Sequence, residues 1–100
     1  MAYRVGRNEV VNEQIKILAA VAKKLGISHL YQDALLKIVA ALADRPLEWG
    51  DPEYRMAVQN GVICHGVHQP LLVRFAVFQA EETVQILEIK PFPGSVFFTR

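Results

Sequence analysis

Between Asn8 and Gly26 the apolar residues Val11, Ile15, Leu18, Ala22 and Leu25 recur at alternating spacings of four and three, while Asn12, Glu13, Lys16 and Lys23 fall between them. That is the period of an amphipathic helix. Asn8 suits its N-cap, Glu9 its first turn, where the helix dipole favours negative charge, and Gly26 its left-handed stop. A second helix is predicted from Ser28, its candidate N-cap, with Leu35, Ile38, Val39 and Leu42 as its stripe and Pro46 beyond its end. The short link makes the two an antiparallel pair. Val10, Ile17, Val21, Leu30 and Leu36 lie outside these stripes, so the pair has apolar surface for a sheet and for a candidate partner groove.

Arg45–Pro52 gathers two prolines and a glycine, which predicts a loop between helices and sheet. Beyond it the apolar period becomes two. Asn60-Gly61 is a hairpin signal between Tyr54–Gln59 and Val62–Val67. Leu71, Val73, Phe75 and Val77 share one face of a strand over Leu71–Phe78, and the polar turn Gln79–Glu82 leads into a strand over Thr83–Lys90. There Val84 and Ile86 share a face but Leu87 and Ile89 fall on the other, which predicts a bulge or a strand buried on both sides. Pro91 and Pro93 should end it. Ala2–Val5 is a short first strand, and Val96-Phe97-Phe98 is either an edge segment or a packing tail.

The whole therefore reads as α+β, an N-terminal helical hairpin packed on a small antiparallel sheet, with residues 1–100 as a single domain. A composition of 52% hydrophobic residues supplies a core and excludes a disordered chain. Lys23, Lys24, Lys37 and Arg74 interrupt the apolar stretches before any could span a bilayer. With an N-terminus that turns polar at once and a single cysteine, Cys64, the expected location is the cytoplasm, with no membrane partner. A net charge of +1 leaves a polyanion binder to work through a local patch.

This element order resembles the RelE/ParE toxin superfamily. The resemblance is carried by Leu42-Ala43-Asp44-Arg45-Pro46, Gly50-Asp51, Pro70–Val77 and Thr83–Ile89, which look like that family's helix end, loop and final hairpin. It implies a RelE/ParE-like fold and a toxin-like component of a bacterial toxin–antitoxin, plasmid-stabilisation type of module, with a cognate antitoxin as partner. Some members are mRNA interferases that cut messages on the ribosome, and others poison gyrase; a homodimer and a non-catalytic interaction module of the same fold are the further readings. One departure stands out. Active members often carry an arginine a few residues before the aromatic of the penultimate strand, and alignment on Phe75 puts that position on Leu72.

A metal-independent endoribonuclease needs a base for a ribose hydroxyl, a proton donor for the leaving oxygen and cations for the phosphate. His65, Arg74 and Lys90 are the candidate catalytic residues, and Tyr54, Arg55, His68 and Arg100 the candidate RNA-binding ones. Imidazole titrates near neutrality, which favours His65 as acid–base, whereas a polar position at a strand end is the plain alternative for it and His68. Arg74 interrupts an apolar strand, so it either faces solvent or pairs with Glu88 across the sheet. As the neighbour of Phe75 it should point to the face opposite that ring. Cys64-His65-x-x-His68 offers only three ligands, and adjacent strand residues face opposite ways, so neither a metal nor a cofactor is expected. Cys64 reads as a small buried hydrophobe, and Trp49 and Tyr54 as base-stacking groups or as lids on the core edge.

Overall fold

Asn8 caps the first helix as its sequence predicts: its side chain accepts from the Val11 amide, and Gly26 closes the other end at φ 74°, where a Cβ would be strained. The computed structural model describes residues 2–56, 60–95 and 97. Its elements run β1 (Arg4–Arg7), α1 (Glu9–Leu25), α2 (Ser28–Asp44), α3 (Pro46–Trp49), β2 (Asp51–Arg55), β3 (Val62–His68), β4 (Leu71–Phe78) and β5 (Thr83–Pro91). The strands form one sheet in the order β1-β5-β4-β3-β2. All neighbours are antiparallel except β1 and β5, which run parallel.

The alternation of β4 becomes the core. Leu71, Val73, Phe75 and Val77 are fully buried beneath the helices, against Val11, Leu18 and Ala22 of α1 and Tyr31, Ala34, Ile38 and Leu42 of α2. Each such aliphatic side chain taken from water contributes roughly 1.5–3 kcal/mol. The hydroxyl of Tyr31 donates to the Ile15 carbonyl at 2.7 Å and ties the two helices, while Phe97 stands edge-on to its ring. Strand β1 pairs with Thr83–Ile86 only, so the amide of Ile89 lies beyond its reach. Gln14 of α1 supplies the missing acceptor at 3.0 Å.

Several boundaries differ from the sequence reading. The first strand lies at Arg4–Arg7 instead of Ala2–Val5, since Tyr3 bonds to Ala43 in α2 and Arg4 to the Glu82 carbonyl. Ser28 is the first residue of α2 and not its cap; Ile27 holds that position without a side-chain hydrogen bond. The Arg45–Pro52 stretch is no plain loop. Pro46, whose fixed φ suits a first helical turn, starts α3, and Asp51 and Pro52 already belong to β2. That strand therefore precedes the predicted Tyr54–Gln59, of which Ala57–Gln59 lie outside the described residues. Asn60 adopts φ 55° within a longer connection, in which the Met56 amide bonds to the Gly61 carbonyl. Strand β4 and the turn after it stand as predicted. The anomaly of β5 is a bulge: Phe75 pairs with Ile86 but Arg74 with Glu88, so Leu87 is the extra residue and Val84, Ile86 and Ile89 are all buried. Pro91 closes β5 from within its last position. Phe97 is a packing residue, and Val96 and Phe98 lie outside the described residues.

Among the described residues no helix is long and apolar enough to cross a membrane. Val10, Ile17 and Leu36 stand well exposed on the helices, at 63%, 60% and 72%.

Candidate functional site

Both helices lie on one face of the sheet; the opposite, open face carries partly exposed side chains around the buried Ile63 and Ala76. On that open face β3 contributes His65, β4 contributes Arg74 opposite it, and β2 contributes Asp51 opposite His65 from the other side. A second irregularity brings in one more group. The β2–β3 register shifts between Pro52 and Tyr54, with Asp51 paired to His65 and Tyr54 to Ile63. Such a bulge breaks the strict in-out alternation and re-aims a side chain. Glu53 thereby reaches the centre of the face: its Oε1 lies 3.3 Å from both Nε and Nη2 of Arg74, and its Oε2 lies 3.3 Å from Nδ1 of His65. Asp51 is looser, with Oδ2 at 3.9 Å from His65 Nε2.

The sequence alone did not single out Glu53. Its only trace is Pro52 between two carboxylates in an edge segment, since a proline disturbs strand pairing where it stands. Arg74 does point away from Phe75, as expected. Its ion pair is with Glu53, however, and not with Glu88, although Glu88 is its cross-strand neighbour. The hydrogen bond and charge of Glu53 raise the guanidinium above its ordinary pKa, and Tyr54 adds in the same direction. Arg74 is thus a fixed cation.

Lys90 lies on the same face opposite Leu72, one diagonal step from Arg74, where cross-strand neighbours are about 7–8 Å apart. Arg55 is exposed at the end of β2, opposite Val62. His68 is not brought to the cluster: it lies three residues from His65 in β3, and its Nδ1 donates to the Gln69 carbonyl at 3.2 Å. Arg100 lies outside the described residues. Leu72, where the family resemblance would place an arginine, stands beside the cluster as an apolar neighbour.

Cys64 points into the core, opposite Phe75, and is fully buried. Burial, with the nearby charges of Glu53 and Asp51, pushes its thiol pKa up, so the nucleophilic thiolate is disfavoured. Trp49 is partly buried at the core's edge, stacked on Phe75 with ring centres 5.9 Å apart. It rests on Gly66, where a Cβ would come within 2.4 Å of the indole. This contact holds the end of α3 against β3 and so fixes where β2 begins. Tyr54, by contrast, is 54% exposed and stands beside Arg74, whose guanidinium its side chain meets. Among the described residues no group of three His, Cys, Asp or Glu side chains is placed to hold a metal ion. A cavity of about 350 Å³ lined by Arg4, Phe78, Glu81 and Thr83 lies at the β4–β5 turn and shares no residue with the cluster.

No protein-family model and no curated protein matches the sequence. A match in shape does exist. The crystal structure of the archaeal RelE–RelB complex from Pyrococcus horikoshii OT3 contains a chain that superposes with a TM-score of 0.65 over 95% of this protein and 100% of that chain, at 17% identity. This protein has a RelE-like fold. At that identity the likeness is one of backbone architecture, so the chemistry of the open face rests on this chain's own residues.

Proposed function

We propose that this protein is the toxin-like member of a cytoplasmic toxin–antitoxin pair and cleaves RNA on the open face of its sheet. The observation that carries the reading is the convergence of His65 and Arg74 on Glu53, each 3.3 Å from its carboxylate, on the face of the sheet opposite the helices. The neighbour in shape is a complex of RelE with RelB, which supports an antitoxin as partner.

Cleavage in this reading is a transesterification. The ribose 2′-oxygen attacks the adjacent phosphorus as His65 takes its proton at Nε2; in the ligand-free protein Glu53 holds Nδ1–H and so leaves Nε2 as the basic nitrogen. Arg74 balances charge on the phosphorane oxygens, and Lys90 gives a proton to the departing 5′-oxygen. The products are a 2′,3′-cyclic phosphate and a 5′-hydroxyl, and no water or metal enters the balance. Tyr54 and Arg55 on β2 would hold neighbouring nucleotides, with His68 at the end of β3 and Arg100 as further contacts. Messenger RNA on the ribosome is the target this reading prefers.

Tightly controlled induction in a bacterial host, with soluble protein confirmed, is the test. Growth arrest with new RNA ends that disappear in Arg74→Ala and His65→Ala supports the nuclease. Arrest with altered DNA topology and intact RNA supports a gyrase poison instead. Normal growth with abundant folded protein favours the non-catalytic interaction module, a reading that the exposed Val10, Ile17 and Leu36 support.

A further inference from the structure

We infer that Glu53 is a resident anion, its carboxylate filling an oxyanion seat made by Arg74 and His65 that a phosphate group takes when Glu53 is displaced. The inference rests on the reading of this face as an RNA-handling site and names where the phosphate goes.

Three nitrogens converge on one carboxylate. Arg74 directs Nε and Nη2 at Oε1, and His65 directs Nδ1 at Oε2, all at 3.3 Å. A forked guanidinium beside an imidazole N–H is the donor arrangement that binds carboxylates and phosphates alike, through paired charge-assisted hydrogen bonds. The ion pairs Lys16–Glu13 and Lys37–Asp33 differ, since each joins a single ammonium to a carboxylate along one exposed helix. They assemble no seat.

The occupant is also the most easily moved part of the cluster. His65 and Arg74 stand on β3 and β4, whose alternate residues Cys64, Val73 and Phe75 are locked in the core. Glu53 stands on β2, an edge strand whose residues are all exposed and whose pairing is already broken at Pro52/Tyr54. Its side chain, 28% exposed, is not part of the core cluster, and partly exposed ion pairs of this kind are weak enough to exchange. With Asp51 and Glu88 beside it, the same carboxylate opposes the approach of a polyanion to Arg74 while it stays in place. A phosphodiester brings the same single charge as the carboxylate it replaces and two non-bridging oxygens for the same donors, and inorganic phosphate brings more charge than the carboxylate.

Inorganic phosphate is the probe, titrated into ¹⁵N-labelled full-length protein while the Arg74 Nε–Hε and His65 ring resonances are followed. Glu53→Gln, which keeps the shape and removes the charge, should bind phosphate at least about tenfold more tightly than wild type, with shifts centred on Arg74 and His65. Glu53→Ala should do the same, and Arg74→Ala added to either variant should abolish the gain. Folded Glu53→Gln and Glu53→Ala proteins whose Arg74 and His65 signals respond no more than wild type overturn the seat. So does loss of folding in both variants, because the carboxylate would then be a fixed strut of β2. Binding and cleavage fail separately: a gain in phosphate affinity without RNA cleavage keeps the seat and removes the nuclease, whereas cleavage without that gain removes the seat alone.

Discussion

The two faces of the sheet are built on different terms, and adjacent residues of β4 show it. Phe75 is fully buried under the helices, whereas Arg74 lies on the open face with its guanidinium on Glu53. The covered face needs apolar bulk at alternate positions, which many sequences supply. The open face owes its arrangement to two irregularities. The β2 bulge turns Glu53 inward over the sheet, and the β5 bulge at Leu87 sets Glu88 opposite Arg74. A fold specified by the first face can persist while the second is rewritten, and a RelE-like backbone at 17% identity is what such independence produces.

The comparison makes its largest prediction at Phe75. Phe75→Ala removes the aromatic on which Trp49 stacks and should cost about 3–5 kcal/mol of stability, read from urea midpoints. For a domain of ordinary marginal stability, that is a large share of the whole. Its neighbour should behave oppositely. Arg74→Ala should leave the urea midpoint close to wild type and, on the proposed reading of this face as a nuclease site, lower RNA cleavage by about 10²–10³-fold, the usual effect of losing a group that stabilises transition-state charge. A large shift in midpoint for Arg74→Ala, measured alongside, would show that the open face also carries the fold.

This asymmetry explains what the sequence disclosed. Helix periods, the Asn8 and Gly26 caps and the alternation of β4 were legible because one physical requirement, burial, repeats along the chain. Even the β5 bulge left a trace, in the switch of face between Ile86 and Leu87. Glu53 was not legible because its place depends on a pairing register set by distant contacts: Trp49 on Gly66, and Asp51 opposite His65. His65 and Arg74 could be named as chemical groups, but nothing in the chain announces that one carboxylate joins them. The helix Pro46–Trp49 was hidden for a related reason, since proline and glycine flank it and its stabilising contact is tertiary.

Gly66 tests that long-range link. Adding a methyl there drives into the Trp49 ring, and overpacking of this kind costs roughly 1–3 kcal/mol. Gly66→Ala should therefore lower the urea midpoint and also weaken the His65–Glu53 contact, visible as a change in the His65 ring resonances. Pairing it with Trp49→Phe, which makes room, should recover part of both losses. A double-mutant cycle that shows no coupling would break the claim that Trp49 positions β2.

The smallest effect is expected at Tyr31, the polar exception within the covered face. Its hydroxyl donates to the Ile15 carbonyl, so Tyr31→Phe should cost about 0.5–1.5 kcal/mol at neutral pH. The pH dependence gives the more specific signature. Burial pushes the phenol from 10.0 up to about 12, so the folded state holds the proton more tightly than the unfolded chain. The resulting stability is fully present below pH 10 and is lost as pH rises through about 12. Urea midpoints of wild type and Tyr31→Phe should accordingly converge across that window. A constant gap would mean that water reaches the Tyr31 hydroxyl, and that the seam between α1 and α2 is as open to solvent as the face that carries Arg74.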